Sequence, residues 1–208
     1  GNCCKCIRKC ITNSIGANRL GGNSLLDLVV FGRATGMHIQ EELKSGGGVE
    51  SSSKGDIDAS LERLNKLNES TSGYETASVK RELQECMQNY FGVFRRGDFM
   101  EKGLNELAEI RHKVDNLHLK DKSSAFNTSR VEAIELQNLF EVAEATAISA
   151  FERNESRGAH ARDDFPDRDD ENWLCHSFYD PINKKVSKRE VNFAPTKVDA
   201  FPPIVRTY

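Results

Sequence analysis

One stretch of this chain carries more structural information than any other, namely Gly16-Ala-Asn-Arg-Leu-Gly-Gly-Asn-Ser-Leu-Leu-Asp-Leu-Val-Val-Phe-Gly-Arg33. Its glycines at positions 16, 21 and 22 allow the backbone to approach a neighbouring group closely, because they have no Cβ. Ser24 is typical of a helix N-cap, and the apolar run that follows it predicts a helix over residues 24–43.

The start of this predicted helix is suited to an electron-rich group. Free amide N–H groups at a helix start carry partial positive charge, which favours an anion or the edge of an electron-rich ring. Arg19 lies just before the helix, where its guanidinium could hold a carboxylate through two parallel hydrogen bonds. The segment therefore predicts a site where a cofactor edge meets a carboxylate substrate. From the residues alone, an ordinary capped helix start with a surface arginine is the alternative.

The composition sets limits on the class of protein. With 208 residues, the chain is long enough to bury the core of one domain, with room for a small additional element. A net charge of −3 gives no overall field that would draw the protein to nucleic acid or to an anionic membrane. No apolar run approaches the roughly 20 residues that a membrane-spanning helix needs. We therefore expect no nucleic-acid partner, and docking onto a membrane-bound partner at most.

Hydrophobic periodicity predicts a mainly α fold. A loop rich in glycine and serine should follow the first helix over residues 45–55. After it, apolar residues recur at spacings of three and four, which is the helical period. We therefore expect residues 56–151 to form an antiparallel bundle of amphipathic helices, whose apolar stripes are Ile57, Leu61 and Leu64; Val79, Leu83, Cys86, Met87 and Tyr90; Leu104, Leu107, Ile110, Val114 and Leu117; and Val131, Ile134, Leu139, Val142 and Thr146.

The sequence changes character after Arg153. Residues 154–173 are charged and rich in turn-forming residues, and their arginines alternate with aspartate and glutamate. This pattern favours a structural salt-bridge network over catalytic chemistry, with His160 as a structural histidine. Residues 173–179 and 185–193 then alternate well enough to predict two strands around a turn at Asp180-Pro-Ile-Asn183. A small C-terminal β hairpin region is expected.

Several stretches resemble the flavoprotein subunit of succinate dehydrogenase, the quinone-linked enzyme of the citric acid cycle and the respiratory chain. The resemblance is strongest over residues 16–36 and over the string E-S-R-G-A-H-A-R-D-D-F-P-D-R-D-D-E-N-W at residues 155–173. It extends to Gln84-Glu-Cys-Met87, Phe126-Asn-Thr128 and the closing residues 201–208. It covers everything after about Ile15, and it corresponds to the C-terminal third of that subunit.

The resemblance implies specific roles for residues near the predicted helix start. Arg19 matches the arginine that binds a carboxylate of succinate or fumarate. Asn23, Ser24 and Leu25 match residues at the helix start that contact the flavin ring of FAD. The family oxidises succinate to fumarate and passes electrons through iron–sulfur clusters to quinone. No catalytic residue of the family falls on this chain, so the chain alone is expected to be inactive.

The same resemblance implies a domain organisation. Residues 1–15 would be a divergent cysteine-rich leader, 16–44 the last piece of the FAD-binding domain, 45–152 a helical domain, and 153–208 the charged segment with the β region. The family's phosphate-binding sheet, flavin-linked histidine and capping domain have no counterpart in these residues. We therefore expect a split subunit, in which an N-terminal flavoprotein chain holds most of the FAD. An iron–sulfur subunit and membrane anchor subunits would complete the complex.

The cysteines leave several interpretations open. Cys3, Cys6 and Cys10, with Cys4 beside them, have enough thiols for a zinc site, although their spacing is awkward for a tetrahedron. The same residues could form an acylated N-terminus or a leader without a function of its own. Cys86 lies on a predicted apolar stripe and is expected to be a small buried hydrophobe. The irregular spacing favours a reducing compartment.

Alternatives remain for the activity and the location. A fumarate reductase would use the same carboxylate chemistry in the opposite direction, and L-aspartate oxidase shares part of both motifs. A non-catalytic assembly or interaction subunit of the same complex is the third possibility. The resemblance implies a peripheral protein on the matrix side of the mitochondrial inner membrane, or on the cytoplasmic side of a bacterial inner membrane.

Overall fold

The computed structural model of the protein describes residues 23–46 and 51–194, together with positions 199 and 204. Within these residues the fold is mainly α, as the sequence predicted. The elements in chain order are α1 (Asn23–Lys44), α2 (Lys54–Glu69), β1 (Tyr74–Glu75), α3 (Thr76–Phe91), β2 (Phe94–Arg95), α4 (Gly97–Asp115), β3 (Leu117–His118), α5 (Thr128–Glu152), β4 (Ala161–Arg162), α6 (Asp170–Trp173), β5 (Cys175–Asp180) and β6 (Lys185–Glu190).

Helices α3, α4 and α5 pack together around the hydrophobic core. The stripes that the sequence predicted for α3 and α4 are confirmed, because their central residues are buried. Cys86 is fully buried among them, as expected of a small hydrophobe. The main buried apolar residues are Val79, Leu83, Cys86, Met100, Leu107, Ile110, Val114, Leu136 and Phe140.

Two short parallel strand pairs show that α3 and α4 run in opposite directions. Strand β1 immediately precedes α3, and it pairs with β3, which follows α4. At the other end, β2 leads from α3 into α4 and pairs with β4 of the charged segment. The start of α3 therefore lies beside the end of α4, as in an antiparallel bundle.

The predicted stripes of the two outer helices are wrong in part. Ile57 and Leu61 of α2 are about half exposed, and Leu67 is the buried residue of that helix. On α5, Val131 and Val142 are exposed, while the buried face consists of Ala133, Leu136, Phe140, Ala143, Ala147 and Ala150. Alanine lets two helices approach closely, so four alanines share the buried face with Leu136 and Phe140, while the larger Val131 and Val142 stay exposed. A pattern of large apolar side chains does not predict that face.

The C-terminal hairpin is confirmed. Strands β5 and β6 pair antiparallel, with Cys175 opposite Glu190 and Asp180 opposite Lys185. Asp180 fixes the turn, since its Oδ1 accepts hydrogen bonds from the amides of Ile182 and Asn183 at 2.9 and 3.4 Å. Among the helices that the structure describes, none is both long enough and apolar enough to cross a bilayer.

Candidate functional site at the start of helix α1

Helix α1 is present where the sequence predicted it and begins one residue before the expected N-cap. Asn23 is its first residue, so Ser24 lies in the first turn instead of ahead of it, and Leu25 lies within the helix as expected. The first four N–H groups of an α-helix have no acceptor within the helix, and no acidic side chain lies in this first turn. The backbone here can donate hydrogen bonds to an electron-rich ring edge, so the described residues fit the proposed contact with a flavin.

Within residues 23–46 and 51–194, the larger apolar side chains in the first half of α1 are mostly exposed. Leu25 and Leu28 are each 71% exposed, and Leu26 and Val29 are also mostly exposed. A helix this apolar is normally buried in a protein core. Helix α1 therefore has the composition of a buried element and the exposure of a surface one.

Two of the predicted sites lie outside the residues that the structure describes. Arg19, the predicted carboxylate ligand, precedes the described range, as do Cys3, Cys6 and Cys10. Within the described ranges no group of three or more His, Cys, Asp or Glu side chains is arranged to hold a metal ion. Burial raises the pKa of the Cys86 thiol to about 12, which makes this buried cysteine unreactive.

Glu155 is the centre of the charged segment and is completely buried. Its carboxylate accepts hydrogen bonds from Arg153 Nε at 2.9 Å, from Arg157 Nε at 2.8 Å and from the Asp169 amide at 2.9 Å. Burial alone would raise the pKa of Glu155, but these hydrogen bonds outweigh it and hold that pKa below its usual value. The carboxylate therefore stays charged, and both of its oxygens accept hydrogen bonds within the segment.

Arg162 joins the charged segment to the end of α5. It is buried, and its guanidinium donates to Asp164 and to the carbonyls of Ala150, Phe151 and Arg153. Those carbonyls at the helix end otherwise have no donor within the helix. The prediction of a structural salt-bridge network is confirmed by these bonds.

His160 has the structural role that the sequence predicted. Its Nε2 lies 3.0 Å from the carbonyl oxygen of Arg153, and its Nδ1 lies 2.7 Å from an Arg95 nitrogen. A guanidinium only donates, so Nδ1 accepts and Nε2 carries the proton. Burial is the main reason that the pKa of His160 is lowered, and the charges of Arg95, Arg162 and Arg153 lower it further. The ring is therefore neutral and fully bonded.

A second buried carboxylate was not found from the sequence. Glu144 of α5 accepts hydrogen bonds from Arg111 at 2.9 Å, Lys184 at 2.9 Å and the Tyr179 hydroxyl at 3.3 Å. Burial would raise the pKa of Glu144, but the Lys184 and Arg111 bonds outweigh it and lower the pKa overall. The residue ties the β5–β6 hairpin to the bundle. Its only sequence signal was a charge on the otherwise apolar face of α5.

Comparison with known proteins places these features in a family. A family model described as "Fumarate reductase flavoprotein C-term" matches residues 80–208. The chain belongs to this family. Its fold agrees with that assignment, because a solved quinol fumarate reductase of Escherichia coli superposes with a TM-score of 0.76 at 34% identity, over 92% of this chain and 33% of that one.

Relatives of known sequence extend the match toward α1. A succinate dehydrogenase flavoprotein subunit of Coxiella burnetii is 46% identical over 188 residues, which cover 90% of this chain and 32% of the relative. A fumarate reductase flavoprotein subunit of Haemophilus influenzae is 34% identical, with 97% of this chain and 34% of the relative covered. The chain thus spans about a third of the length of these relatives, and the resemblance drawn from the sequence is confirmed.

Proposed function

We propose that this chain is the C-terminal portion of a succinate dehydrogenase flavoprotein and completes its FAD and dicarboxylate site. The assembled enzyme would oxidise succinate to fumarate and pass the electrons through an iron–sulfur subunit to quinone in the membrane. The N-terminal two thirds of the flavoprotein, which the relatives have beyond the matched region, would supply most of the FAD-binding fold. The residues described here would be inactive without that part.

The observation that carries this proposal is the state of helix α1. Its first-turn amides have no acceptor within the helix, and its apolar residues Leu25 and Leu28 are exposed among the residues that the structure describes. Both properties are expected of a helix that completes a larger, flavin-holding domain. The alignment with the Haemophilus influenzae relative covers 97% of this chain, which supports including the preceding segment with Arg19 in the same domain.

The roles of this chain's residues follow from their chemistry. When bound, FAD supplies the electron acceptor for succinate oxidation. The amides of Asn23, Ser24 and Leu25 would stabilise negative charge at the ring edge, because the helix start carries partial positive charge. The Arg19 guanidinium would bind one substrate carboxylate and so orient the substrate. The residue that handles the proton would lie in the N-terminal part of the flavoprotein.

The test is to purify the chain from its natural source without dissociating its complex. We expect an FAD-bearing companion, an iron–sulfur subunit and succinate-dependent quinone reduction. The intact mass of the flavin-bearing polypeptide then shows whether it is separate from this chain. A flavin-free particle that contains this chain alone would contradict the proposal.

Fumarate reduction is the second candidate, because the Haemophilus influenzae relative and the Escherichia coli structure are both named as fumarate reductases. The carboxylate chemistry of Arg19 serves either direction. Rates measured with succinate and with fumarate on the same preparation decide between them. Fractionation of the source cells tests the expected peripheral location on an inner mitochondrial or bacterial membrane.

A further inference from the structure

His160 lies beside a short strand contact that joins the charged segment to the bundle. Strand β2 leads from α3 into α4 and pairs in parallel with β4, which follows His160 directly. The amide of Asp163 donates to the carbonyl of Arg95 at 2.8 Å and so extends the pairing by one bond. We call this contact, between residues 94–95 and residues 161–163, the β2–β4 clasp.

The imidazole of His160 is hydrogen-bonded on both sides. Its Nδ1 accepts from Nη1 of Arg95 at 2.7 Å, and its Nε2 donates to the carbonyl of Arg153 at 3.0 Å. A guanidinium has donors only, so Nδ1 keeps its bond only while it carries no proton. A proton on Nδ1 would turn this bond into a contact between two donors that are both positively charged.

Arg95 depends on that unprotonated nitrogen. Its Nε donates to the carbonyls of Phe91 and Gly92 at 3.3 and 3.1 Å, and its Nη1 donates to His160. Within the described part of the chain, the hydrogen bonds of Arg95 therefore all go to neutral groups. A charged imidazole would face a guanidinium whose charge no directly bonded carboxylate offsets.

The other charged groups around the ring do not favour a proton there. Arg153 at the end of α5 and Arg162 of β4 both add positive charge near His160. Their carboxylate partners are already engaged, Glu155 by Arg153 and Asp164 by Arg162. Burial outweighs the bond to the Arg153 carbonyl and lowers the pKa of His160, and the neighbouring arginines lower that pKa further.

The backbone around His160 resists a movement of the ring by itself. Arg157 and His160 exchange two backbone hydrogen bonds of 2.9 and 3.1 Å, and Gly158 closes the turn between them with a φ of 61°. Because β4 begins at the next residue, a displacement of His160 also displaces the strand. The clasp has only two residue pairs to oppose that displacement, and short contacts of this kind open locally at low cost.

We propose that the β2–β4 clasp is a proton-sensitive switch, in which protonation of His160 separates the charged segment from the start of α4 while the core helices stay folded. The core is held by buried apolar side chains that carry no titratable charge, such as Leu107 and Phe140. Acid therefore acts on the clasp before it acts on the bundle. The switch needs neither a flavin nor a second chain, so it stands apart from the proposed function.

The second parallel strand pair of the bundle provides a matched control. His118 lies in β3, which pairs with β1, and its Nδ1 is 3.2 Å from the carbonyl oxygen of Ser70. A carbonyl accepts a hydrogen bond, so a charged His118 keeps this contact where a charged His160 loses its own. The amide of Tyr74 donates to the carbonyl of Asn116 at 3.0 Å and reports whether this pair is closed.

Hydrogen exchange of the native assembly that contains this chain, measured by mass spectrometry at single amides, tests the switch at about pH 7.5 and about pH 5.5. Each rate is divided by the rate of the same amide in the unfolded chain at that pH. One unit below the ordinary histidine pKa of about 6.5, linkage permits opening to increase by up to about tenfold. We expect the Asp163 amide to lose about threefold to tenfold in protection and the Tyr74 amide less than about twofold. Equal losses at the two amides, or no loss at Asp163, would overturn the proposal.

Two substitutions separate the effect of the proton from that of packing. His160→Gln offers one acceptor and one donor, as the neutral ring does, but does not titrate, so protection of the Asp163 amide should be equal at both pH values. Arg95→Gln places an amide oxygen where it can accept from a protonated Nδ1, so acid should no longer open the clasp. If either variant opens in acid as the parent chain does, these two side chains do not form the switch. An equal acid-induced loss at the amide of Leu107, in the core of α4, would indicate global unfolding and would also contradict the proposal.

Discussion

Arg162 donates two parallel hydrogen bonds to Asp164, from Nε to Oδ1 and from Nη2 to Oδ2, and each is 2.8 Å long. The same guanidinium donates from Nη1 to the carbonyl of Phe151 at 3.0 Å. One buried side chain therefore caps α5 and orients the loop that follows β4. Because Arg162 bonds both Asp164 and the end of α5, it fixes the position of the charged segment against the bundle.

Replacement of this arginine should be costly. Arg162→Lys keeps the charge but cannot form the planar pair of bonds or reach the helix carbonyls at the same time. We expect the free energy of unfolding to fall by about 3 kcal/mol, as when a buried ion pair loses one partner. Urea unfolding followed by circular dichroism measures it.

The chain contains a matched control for this substitution. Arg96 pairs with Asp98 at the same spacing, but both side chains are more than half exposed. Arg96→Lys should change the free energy of unfolding by about 0.5 kcal/mol or less. Equal losses in the two variants would show that burial of Arg162 does not matter.

Glu144→Gln tests how the hairpin is held. The substitution preserves shape but removes the charge that Arg111 and Lys184 face, so we expect a loss of about 2 kcal/mol in the free energy of unfolding. Hydrogen exchange of the β5 and β6 amides should accelerate. Glu141→Gln is the control, because Glu141 also pairs with Arg111 but is half exposed; it should change stability little.

The effect of Glu144→Gln should depend on pH. The pKa of Glu144 is lower in the folded chain than in the unfolded one. The stability that its charge adds to the fold is therefore fully present above the ordinary glutamate pKa of about 4.3. That added stability is lost as the pH falls through the lowered pKa. The stability difference between the variant and the parent chain should therefore shrink below about pH 4. A difference that grows toward acid would contradict the assignment.

Mild acid should destabilise the fold, because the buried ring of His160 is harder to protonate than the same ring in the unfolded chain. Because burial and nearby arginines lower its folded pKa, the unfolded chain binds the proton more readily, and stability falls as the pH drops below about 6.5. His160→Gln should lower stability at pH 8 but remove the part of the pH dependence that sets in below about pH 6.5. The exposed His112, changed to Gln, serves as the control. Parallel pH curves for the His160 variant and the parent would contradict this role.

Local sequence patterns, such as hydrophobic periodicity and turn residues, predicted much of the fold. They did not predict contacts between residues far apart in the sequence. The turn at Asp180 was predictable because its carboxylate bonds amides two and three positions away. The bond between Glu144 and Lys184 joins residues 40 positions apart, and periodicity carries no information on such pairs. The buried face of α5 was predicted wrongly because it contains four alanines beside Leu136 and Phe140, and alanine gives only a weak hydrophobic signal.

Gly103 of α4 packs directly against the end of α3, and a side chain there would not fit. A Cβ on Gly103 would lie 2.5 Å from both Phe91 Cε2 and Tyr90 Cβ. Gly103→Ala should therefore lower the free energy of unfolding by about 1–3 kcal/mol, despite the better helix propensity of alanine. Gly36→Ala on α1 is the control, since a Cβ there meets nothing within 4 Å and should be neutral or slightly stabilising. Thermal unfolding of both variants measures the contrast, and a stable Gly103→Ala would contradict the close packing.

The proposed substrate contact makes the most direct prediction about activity. In the assembled complex, Arg19→Ala removes a carboxylate-binding guanidinium, which should cost about 2–4 kcal/mol in transition-state binding. The value of kcat/KM for succinate should then fall roughly thirtyfold to a thousandfold. Arg81→Ala, at an exposed position on α3, is the control and should leave kcat/KM unchanged. Flavin content must stay equal in all preparations, so that a lost cofactor is not mistaken for a lost contact. If Arg19→Ala retains full turnover at normal flavin content, the chain has a non-catalytic assembly role, and the dicarboxylate is bound by other residues.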